Sequence, residues 1–319
     1  MVKYIKIRKA RKMSFTITLS LVATMLAYAV PAFLLVKTKL TKESAISGIA
    51  SILLYICTPA IIINSFQQAD FNRETVIDLL VFALLVLILQ VAMLGGTYLF
   101  LHRKYDDARA RIATVASAMG NYGFFGIPLL NGLMPDAPNA VIFVAIISIF
   151  LNFSAFTFGS MIISGDKKYI SVKKMFLNPS VLSAAVALPL FFLKIRIPVQ
   201  ISSILQLFVT ISTPLCMFVL GMRLATVKFS DVILNPYSYL AVFLKQIATP
   251  LIAILITSLI PCNPIMEKTL VILSACPTAT VILNLAEVID SGQKHAVNTV
   301  LLGTILSIIT IPLTLLLCR

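Results

Sequence analysis

The residues of this chain best placed to do chemistry offer backbone groups rather than acids or nucleophiles. The run Ser117-Ala118-Met119-Gly120-Asn121-Tyr122-Gly123-Phe124-Phe125-Gly126-Ile127-Pro128 holds three glycines, an amide and a proline inside a segment apolar enough to cross a bilayer. A membrane helix interrupted in this way frees donors and acceptors that lipid cannot satisfy, so the break must be buried in protein or face a watery cavity. The second half of a broken helix starts with free N–H groups and about half a positive charge, a combination that binds anions. The run Ser274-Ala275-Cys276-Pro277-Thr278-Ala279-Thr280 is a second such interruption, because proline removes a donor and clashes with the preceding turn. The second halves are expected to begin near Tyr122-Gly123 and Pro277-Thr278. Asn121, Thr278 and Thr280 would be their neutral hydrogen-bonding partners, and Gly120 and Gly123 would let backbone approach a ligand closely or take conformations closed to other residues. The chemistry expected of this constellation is reversible binding of a carboxylate.

Lys245 is the most deeply placed charge. It is read either as a partner for a substrate carboxylate, Glu287 or Asp78, or as a side chain that snorkels to the interface. Asn64 and Asn152 are lone amides in apolar spans, suited to interhelical hydrogen bonds and also to lining a cavity. Asp78 and Glu287 lie near helix ends and read as interfacial, and Arg223 reads as a topology anchor. No His-Glu-x-x-His pattern, aspartyl pair or serine–histidine set lies at membrane depth, so an intramembrane enzyme is rejected. No cofactor or metal site is expected. Cys57, Cys216, Cys262, Cys276 and Cys318 lie at no repeating spacing and read as free thiols.

The elements that must position these groups follow from composition. Apolar residues make up 59% of the 319 and charged ones 12%, with a mean hydropathy of +1.00. A soluble domain is roughly 45–50% apolar and about 25% charged. Ten apolar spans are read at 15–36, 44–66, 75–100, 108–132, 138–163, 179–195, 199–222, 238–260, 267–288 and 294–317. The net charge of +14 is spread over connectors rather than gathered in a patch, so nucleic acid is not expected as a partner. Fourteen Lys and Arg residues flank the connectors after odd-numbered spans and five flank the opposite face, which places the first set in the cytoplasm and both termini outside. The basic tail (Lys3, Lys6, Arg8, Lys9, Arg11 and Lys12) opposes that assignment. Translation beginning at Met13 would remove the conflict; a real tail with both termini inside is the alternative.

The two halves repeat. Pro31-Ala32-Phe33-Leu34-Leu35 matches Pro189-Leu190-Phe191-Phe192-Leu193, and Ile56-Cys57-Thr58-Pro59 matches Ile211-Ser212-Thr213-Pro214. Ser117-Ala118 pairs with Ser274-Ala275, and Ala140-Val141 with Ala296-Val297, so the four offsets are 158, 155, 157 and 156. Five spans per copy is an odd number, so the second copy enters the membrane with opposite polarity. The fold expected is therefore all-α and integral to the membrane: ten transmembrane helices in two five-helix inverted repeats, with helices four and nine broken and crossing near the midplane.

At Gly120-Asn121-Tyr122-Gly123-Phe124-Phe125-Gly126-Ile127-Pro128-Leu129, at Thr213-Pro214-Leu215-Cys216-Met217-Phe218-Val219-Leu220-Gly221-Met222-Arg223-Leu224-Ala225, and at Leu285-Ala286-Glu287, the chain resembles the auxin efflux carrier family in its bacterial, malonate-type permease branch. The resemblance implies an elevator-like motion in which spans three to five and eight to ten carry substrate past a scaffold of spans one, two, six and seven. Two features depart from it. The connector Gly165–Asn178 is short where plant auxin carriers often have a long insert, so auxin is a poor guess for the substrate. Relatives often place an asparagine just after the span-nine proline, where this chain has Thr278, Thr280 and Val281; whether Asn284, one turn later, substitutes is open.

The function expected is secondary transport of small organic anions, with a sodium-coupled symporter of similar architecture as the alternative and an anion channel behind it. The organisation expected is a basic tail at 1–13, a first repeat at 14–164, a cytoplasmic linker at 165–178 and a second repeat at 179–319. The expected partners are the anion and the lipid bilayer of the inner (plasma) membrane, with a homodimer open.

Overall fold

The structure, a computed structural model, describes residues 2–166 and 177–316. Most of the Gly165–Asn178 connector, with Lys167, Lys168, Lys173 and Lys174, lies outside the described residues, as do Cys318 and Arg319. The described chain is helical throughout and has one isolated two-residue β-bridge. Seven helical runs among the described residues are long and apolar enough to cross a membrane: Phe15–Lys37, Ala45–Gln68, Arg73–Lys104, Val141–Ser164, Val199–Thr226, Pro236–Leu259 and Gln293–Leu315. They fall on seven of the ten spans read from sequence. The other three are a shorter apolar helix, Pro179–Phe192, and two segments each cut in the middle.

In chain order the helices are α1 (Val2–Ala27), α2 (Ala29–Lys37), α3 (Ala45–Ile52), α4 (Thr58–Gln68), α5 (Arg73–Leu101), α6 (Ala108–Ala118), α7 (Ile127–Leu133), α8 (Val141–Ser154) and α9 (Ser160–Ser164). The second half continues with α10 (Pro179–Phe192), α11 (Val199–Thr226), α12 (Phe229–Ile233), α13 (Pro236–Phe243), α14 (Thr249–Leu259), α15 (Pro264–Ser274), α16 (Val281–Ile289) and α17 (Gln293–Leu315). Where the sequence suggests a separate tail and one straight first span, the helix is continuous from Val2 to Ala27 and bends at Tyr28. Pro31 explains the bend: its ring crowds the carbonyl four residues earlier, that of Ala27, where α1 stops.

Local chemistry sets the other boundaries. Asn178, Asn235 and Asn263 each stand before a proline, and each side chain accepts the amide hydrogen of the residue after that proline, starting α10, α13 and α15. Asp107 caps α6 in the same way through the Arg109 amide. Wide π-turns at Leu53–Cys57, Tyr122–Gly126 and Leu244–Ala248 precede Thr58-Pro59, Ile127-Pro128 and Thr249-Pro250. A proline lacks the donor that would continue an α-turn, and the helix widens ahead of it. Thr58 and Thr249 then donate their hydroxyls to the carbonyls five residues back, at 2.9 and 2.7 Å.

The helices pack as two bodies. In the first, α2, α4, α10 and α11 pack on one another. Gly221 of α11 lies so close to α2 that a Cβ there would fall 2.1 Å from the Ala29 carbonyl oxygen. Asn64 donates to Gln206 at 2.9 Å, and Gln67 donates to Ile195 O and accepts from Ile197 N, each at 3.1 Å. In the second body, α5, α8, α13, α14 and α17 pack around the two cut segments, α6 with α7 and α15 with α16, and α8 also packs on α4 and α10 of the first body. Arg111 ties α9 to two connectors of the second body, donating to Ile163 O at 3.0 Å, to Tyr105 O, and to the Ser291 hydroxyl at 3.3 Å. The N-terminal α1 packs on α7 and α17 of this second body.

Candidate functional site

Both interrupted segments are broken where the sequence places the breaks, and the breaks touch. α6 ends at Ala118 and α15 at Ser274, each after 11 residues. Beyond them the chains run antiparallel for three residues: Asn121 N–H donates to Pro277 O at 2.8 Å, and Ala279 N–H donates to Met119 O at 2.9 Å. Gly120 and Thr278 face one another as the non-hydrogen-bonded pair of this bridge. Asn121, at φ −77° and ψ 68°, is the centre of an inverse γ-turn closed by Tyr122 N–H on Gly120 O at 2.9 Å. Each break thus satisfies part of the other's backbone.

What remains open is a set of donors. Among the described residues no acceptor faces the amides of Gly123 and Phe124 at the start of one half-helix, or those of Thr280 and Val281 at the start of the other. All four residues line a cavity of about 110 Å³. On the same measure a water needs about 10–15 Å³, so the space suits a solute of several heavy atoms. The opposite wall comes from the first body, with Thr58 and Ile61 of α4, Ser180 of α10, and Cys216, Val219 and Arg223 of α11. The cavity therefore lies on the seam between the bodies. Two hydrogen bonds cross it beside the breaks: Thr213 Oγ1 donates to Phe124 O at 2.9 Å, and Asn121 Nδ2 meets Cys216 Sγ at 3.6 Å.

Of the residues singled out from sequence, Gly120, Asn121, Tyr122, Gly123, Thr280, Asn152 and Asn284 line this cavity. Asn152 also serves as an interhelical strut, donating to Ser180 Oγ at 3.0 Å and accepting from Asn178 Nδ2 at 3.2 Å. Pro277, Thr278, Lys245 and Asn64 are not in its lining. Pro277 contributes the carbonyl that binds Asn121, Thr278 is fully buried with its hydroxyl unpartnered, and Asn64 is engaged with Gln206. Neither glycine at the first break has a left-handed φ; those are Gly165 and Gly292. What Gly120 supplies is room, since a Cβ there would sit 2.4 Å from the Tyr122 ring and 2.9 Å from Lys245 Cε.

Lys245 departs from the snorkelling reading and from pairing with Glu287 or Asp78. It is completely buried, so it does not snorkel, and its sequence-proposed partners are occupied elsewhere: Glu287 with Arg223, and Asp78 with Asn263. Its ammonium donates to the Ser274 carbonyl at the end of α15 and lies 5.6 Å from the centre of the Tyr122 ring. It lies against the crossing, beside Tyr122 and the end of α15, and is absent from the cavity wall.

Arg223 was read from sequence as a topology anchor rather than as a site residue. It is the one charged side chain in the cavity lining, its Nη1 pairs with Glu287 at 3.1 Å, and its Nε is buried without an acceptor. Its position in the Thr213–Ala225 string that carries the family resemblance was the available signal. A pocket with free amides, neutral Asn and Thr side chains, one guanidinium and no carboxylate in its wall is built to hold an anion.

Comparison with known proteins agrees with a transport role. The chain is 25% identical over 285 residues, 86% of its own length and 88% of the other, to a protein of Rhizobium meliloti (strain 1021) named "Putative malonate transporter". The family model described as "Membrane transport protein" matches residues 16–315, bearing out the resemblance carried by the three motif strings. This multi-pass chain belongs to that membrane transport protein family, and its task is transport rather than catalysis.

Proposed function

We propose that the chain is a secondary carrier of small carboxylates, with the crossing of the two broken helices as its binding site. The observation that carries this is the cavity beside the crossing, whose wall holds four amides without acceptors and one guanidinium but no acid. The name of the similar protein, which specifies malonate, supports a short carboxylate. The ten-span reading completes the architecture, with the shorter helix α10 and the two cut segments crossing beside the seven long ones. The bridge itself favours an inverted repeat. An offset of 158 residues converts Met119, Gly120 and Asn121 into Pro277, Thr278 and Ala279, and so exchanges its two hydrogen bonds. That offset lies within the 155–158 range of the sequence matches.

The two packed bodies coincide with the scaffold and carrier of an elevator, apart from α1, and the cavity on their seam is where such a carrier would hold its cargo. The assembly belongs in the inner membrane with both termini outside. The test is uptake and counterflow in proteoliposomes with a panel of radiolabelled carboxylates, sodium and pH gradients being varied separately. Saturable uptake of a short carboxylate, weakened in Asn121→Ala, is the expected result. Sodium-dependent uptake would establish the symporter alternative, and unitary currents in a planar bilayer would establish a channel.

A further inference from the structure

The pair formed by Arg223 and Glu287 spans the seam: Arg223 belongs to α11 of the first body and Glu287 to α16 of the second. The two partners differ in setting. The Arg223 side chain is 14% exposed and reaches the cavity, whereas that of Glu287 is 51% exposed and is absent from the cavity wall. Guanidinium has a planar fork that can grip a carboxylate with two parallel N–H bonds. Here Nη1 holds Glu287 while the buried Nε–H faces no acceptor, so one donor of the fork is left open.

We propose that Arg223 is an exchangeable latch that takes one carboxylate of a dicarboxylate substrate in place of, or in competition with, Glu287. The inference rests on the carboxylate-carrier reading above. Cys216, whose sulfur meets Asn121, precedes Arg223 by seven residues, about 10 Å along the helix axis. A helical side chain leans toward the N-terminal end of its helix, which for Arg223 means back toward Cys216. One end of a short dicarboxylate therefore meets the amides of the two breaks while the other meets the guanidinium. A monocarboxylate of the same chain length fills only one of these places. One guanidinium charge cannot fully compensate two carboxylates, so the arriving substrate loosens Glu287. The released pair is a polar tie between the bodies, and loading thereby frees the seam to slide.

The experiment is uptake of radiolabelled malonate into proteoliposomes, with propionate as competitor, for the wild type, Glu287→Gln, Arg223→Gln and Arg223→Lys. The latch predicts shifts in opposite directions. Removing the competing carboxylate lowers the malonate KM about two- to fivefold, as the worth of a partly exposed ion pair implies. Removing the guanidinium raises it about tenfold or more and erodes the preference for malonate over propionate, with Arg223→Lys falling between because it keeps charge without the fork. A merely structural ion pair predicts equal damage from both neutral variants, and a malonate KM that rises in both, or moves in neither, overturns the latch while leaving the carrier reading intact. If Arg223→Gln fails to assemble, the Glu287→Gln KM decides alone, since only competition makes it fall. Wild-type vesicles that take up neither acid overturn both readings together.

Discussion

Replacing Gly120 by alanine tests whether the two breaks are held as tightly as their geometry implies. The new methyl carbon would stand 2.4 and 2.8 Å from two atoms of the Tyr122 ring and 2.9 Å from Lys245 Cε. Carbon atoms prefer separations of about 3.5–4.0 Å, so the ring must retreat by about an ångström. It has little freedom to do so, being buried between the crossing and the lysine, while Gly120 is fixed by the hydrogen bonds on either side of it. Overpacking of this kind costs about 1–3 kcal/mol, equivalent for a chain of this length to a fall of roughly 2–5 °C in melting temperature. Gly123→Ala is the internal control, since its Cβ would lie at an ordinary 3.7 Å from Ile61 Cδ1. Because that methyl sits beside the open amides, it should reduce uptake while leaving the melting temperature within about 1 °C of the wild type, a change of at most a few tenths of a kcal/mol. The assay is thermal unfolding of the detergent-solubilised protein, paired with uptake in vesicles. Adding Tyr122→Leu to Gly120→Ala removes the ring atoms that clash and should restore most of the lost stability. A Gly120→Ala protein that melts like the wild type, or a Gly123→Ala protein that loses as much, refutes the packing account of the crossing.

Lys245→Met should raise thermal stability by about 1–3 kcal/mol, because the ammonium is buried beside a carbonyl and an aromatic face with no acid among the described residues to pair with, and an apolar chain of similar length fills the same space. The same variant should transport anions more slowly, having lost a positive charge against the crossing; a fall in melting temperature would show that the bond to Ser274 outweighs desolvation. Asp107→Ala should cost about 1 kcal/mol at neutral pH through loss of the α6 cap. The Arg109 side chain bonded to Asp107 holds its carboxyl below the usual 3.8, so the wild-type advantage is fully present above the unfolded-state value and is lost as pH falls through the lower folded one. Melting curves of the two proteins should therefore differ by a constant amount from pH 5 to pH 8 and converge only below about pH 4.

The breaks were legible in the sequence because glycine and proline act locally: a missing donor at Pro277 or a missing side chain at Gly120 changes the helix at that position whatever surrounds it. The asparagine–proline helix starts and the prolines at positions 59, 128 and 250, which follow the π-turns, were equally local signals. Arg223 was not legible in this way. At the end of an apolar span an arginine looks the same whether it anchors in headgroups or turns inward, and the difference is made by α16, which comes within reach only after folding. The snorkelling reading of Lys245 failed for the same reason. Its distance from the helix end suggested an escape to water, but the end of α15 and the ring of Tyr122 close over it from elements about 30 and 120 residues away in sequence. Periodicity locates a charged residue along a span; tertiary packing decides which way it faces.

The distribution of bonds around the cavity bears on how such a site could move. Within the second body the crossing is closed by two short backbone bonds, and the Ser117 carbonyl at the end of α6 accepts the Thr249 hydroxyl at 3.2 Å. Arg111 binds α9 and the Ser291 connector at the far end of the same helix. Across the seam the polar ties at the site are made by side chains: a thiol contact at 3.6 Å, a threonine bond, an ion pair whose acid is half exposed, and the Asn152 bonds to Ser180 and Asn178 at 3.0 and 3.2 Å. An exposed ion pair contributes about 0.2–1 kcal/mol, whereas a buried amide left without its acceptor costs about 1–3 kcal/mol. Separating the two breaks would strand two such amides in apolar surroundings, while sliding the bodies past one another would sacrifice side-chain ties, of which only the Asn152 pair is a buried amide–hydroxyl and amide–amide set. On the elevator reading, the free amides that recognise the anion travel together as one preformed surface, and a substrate that competes for Arg223 lowers the cost of their departure.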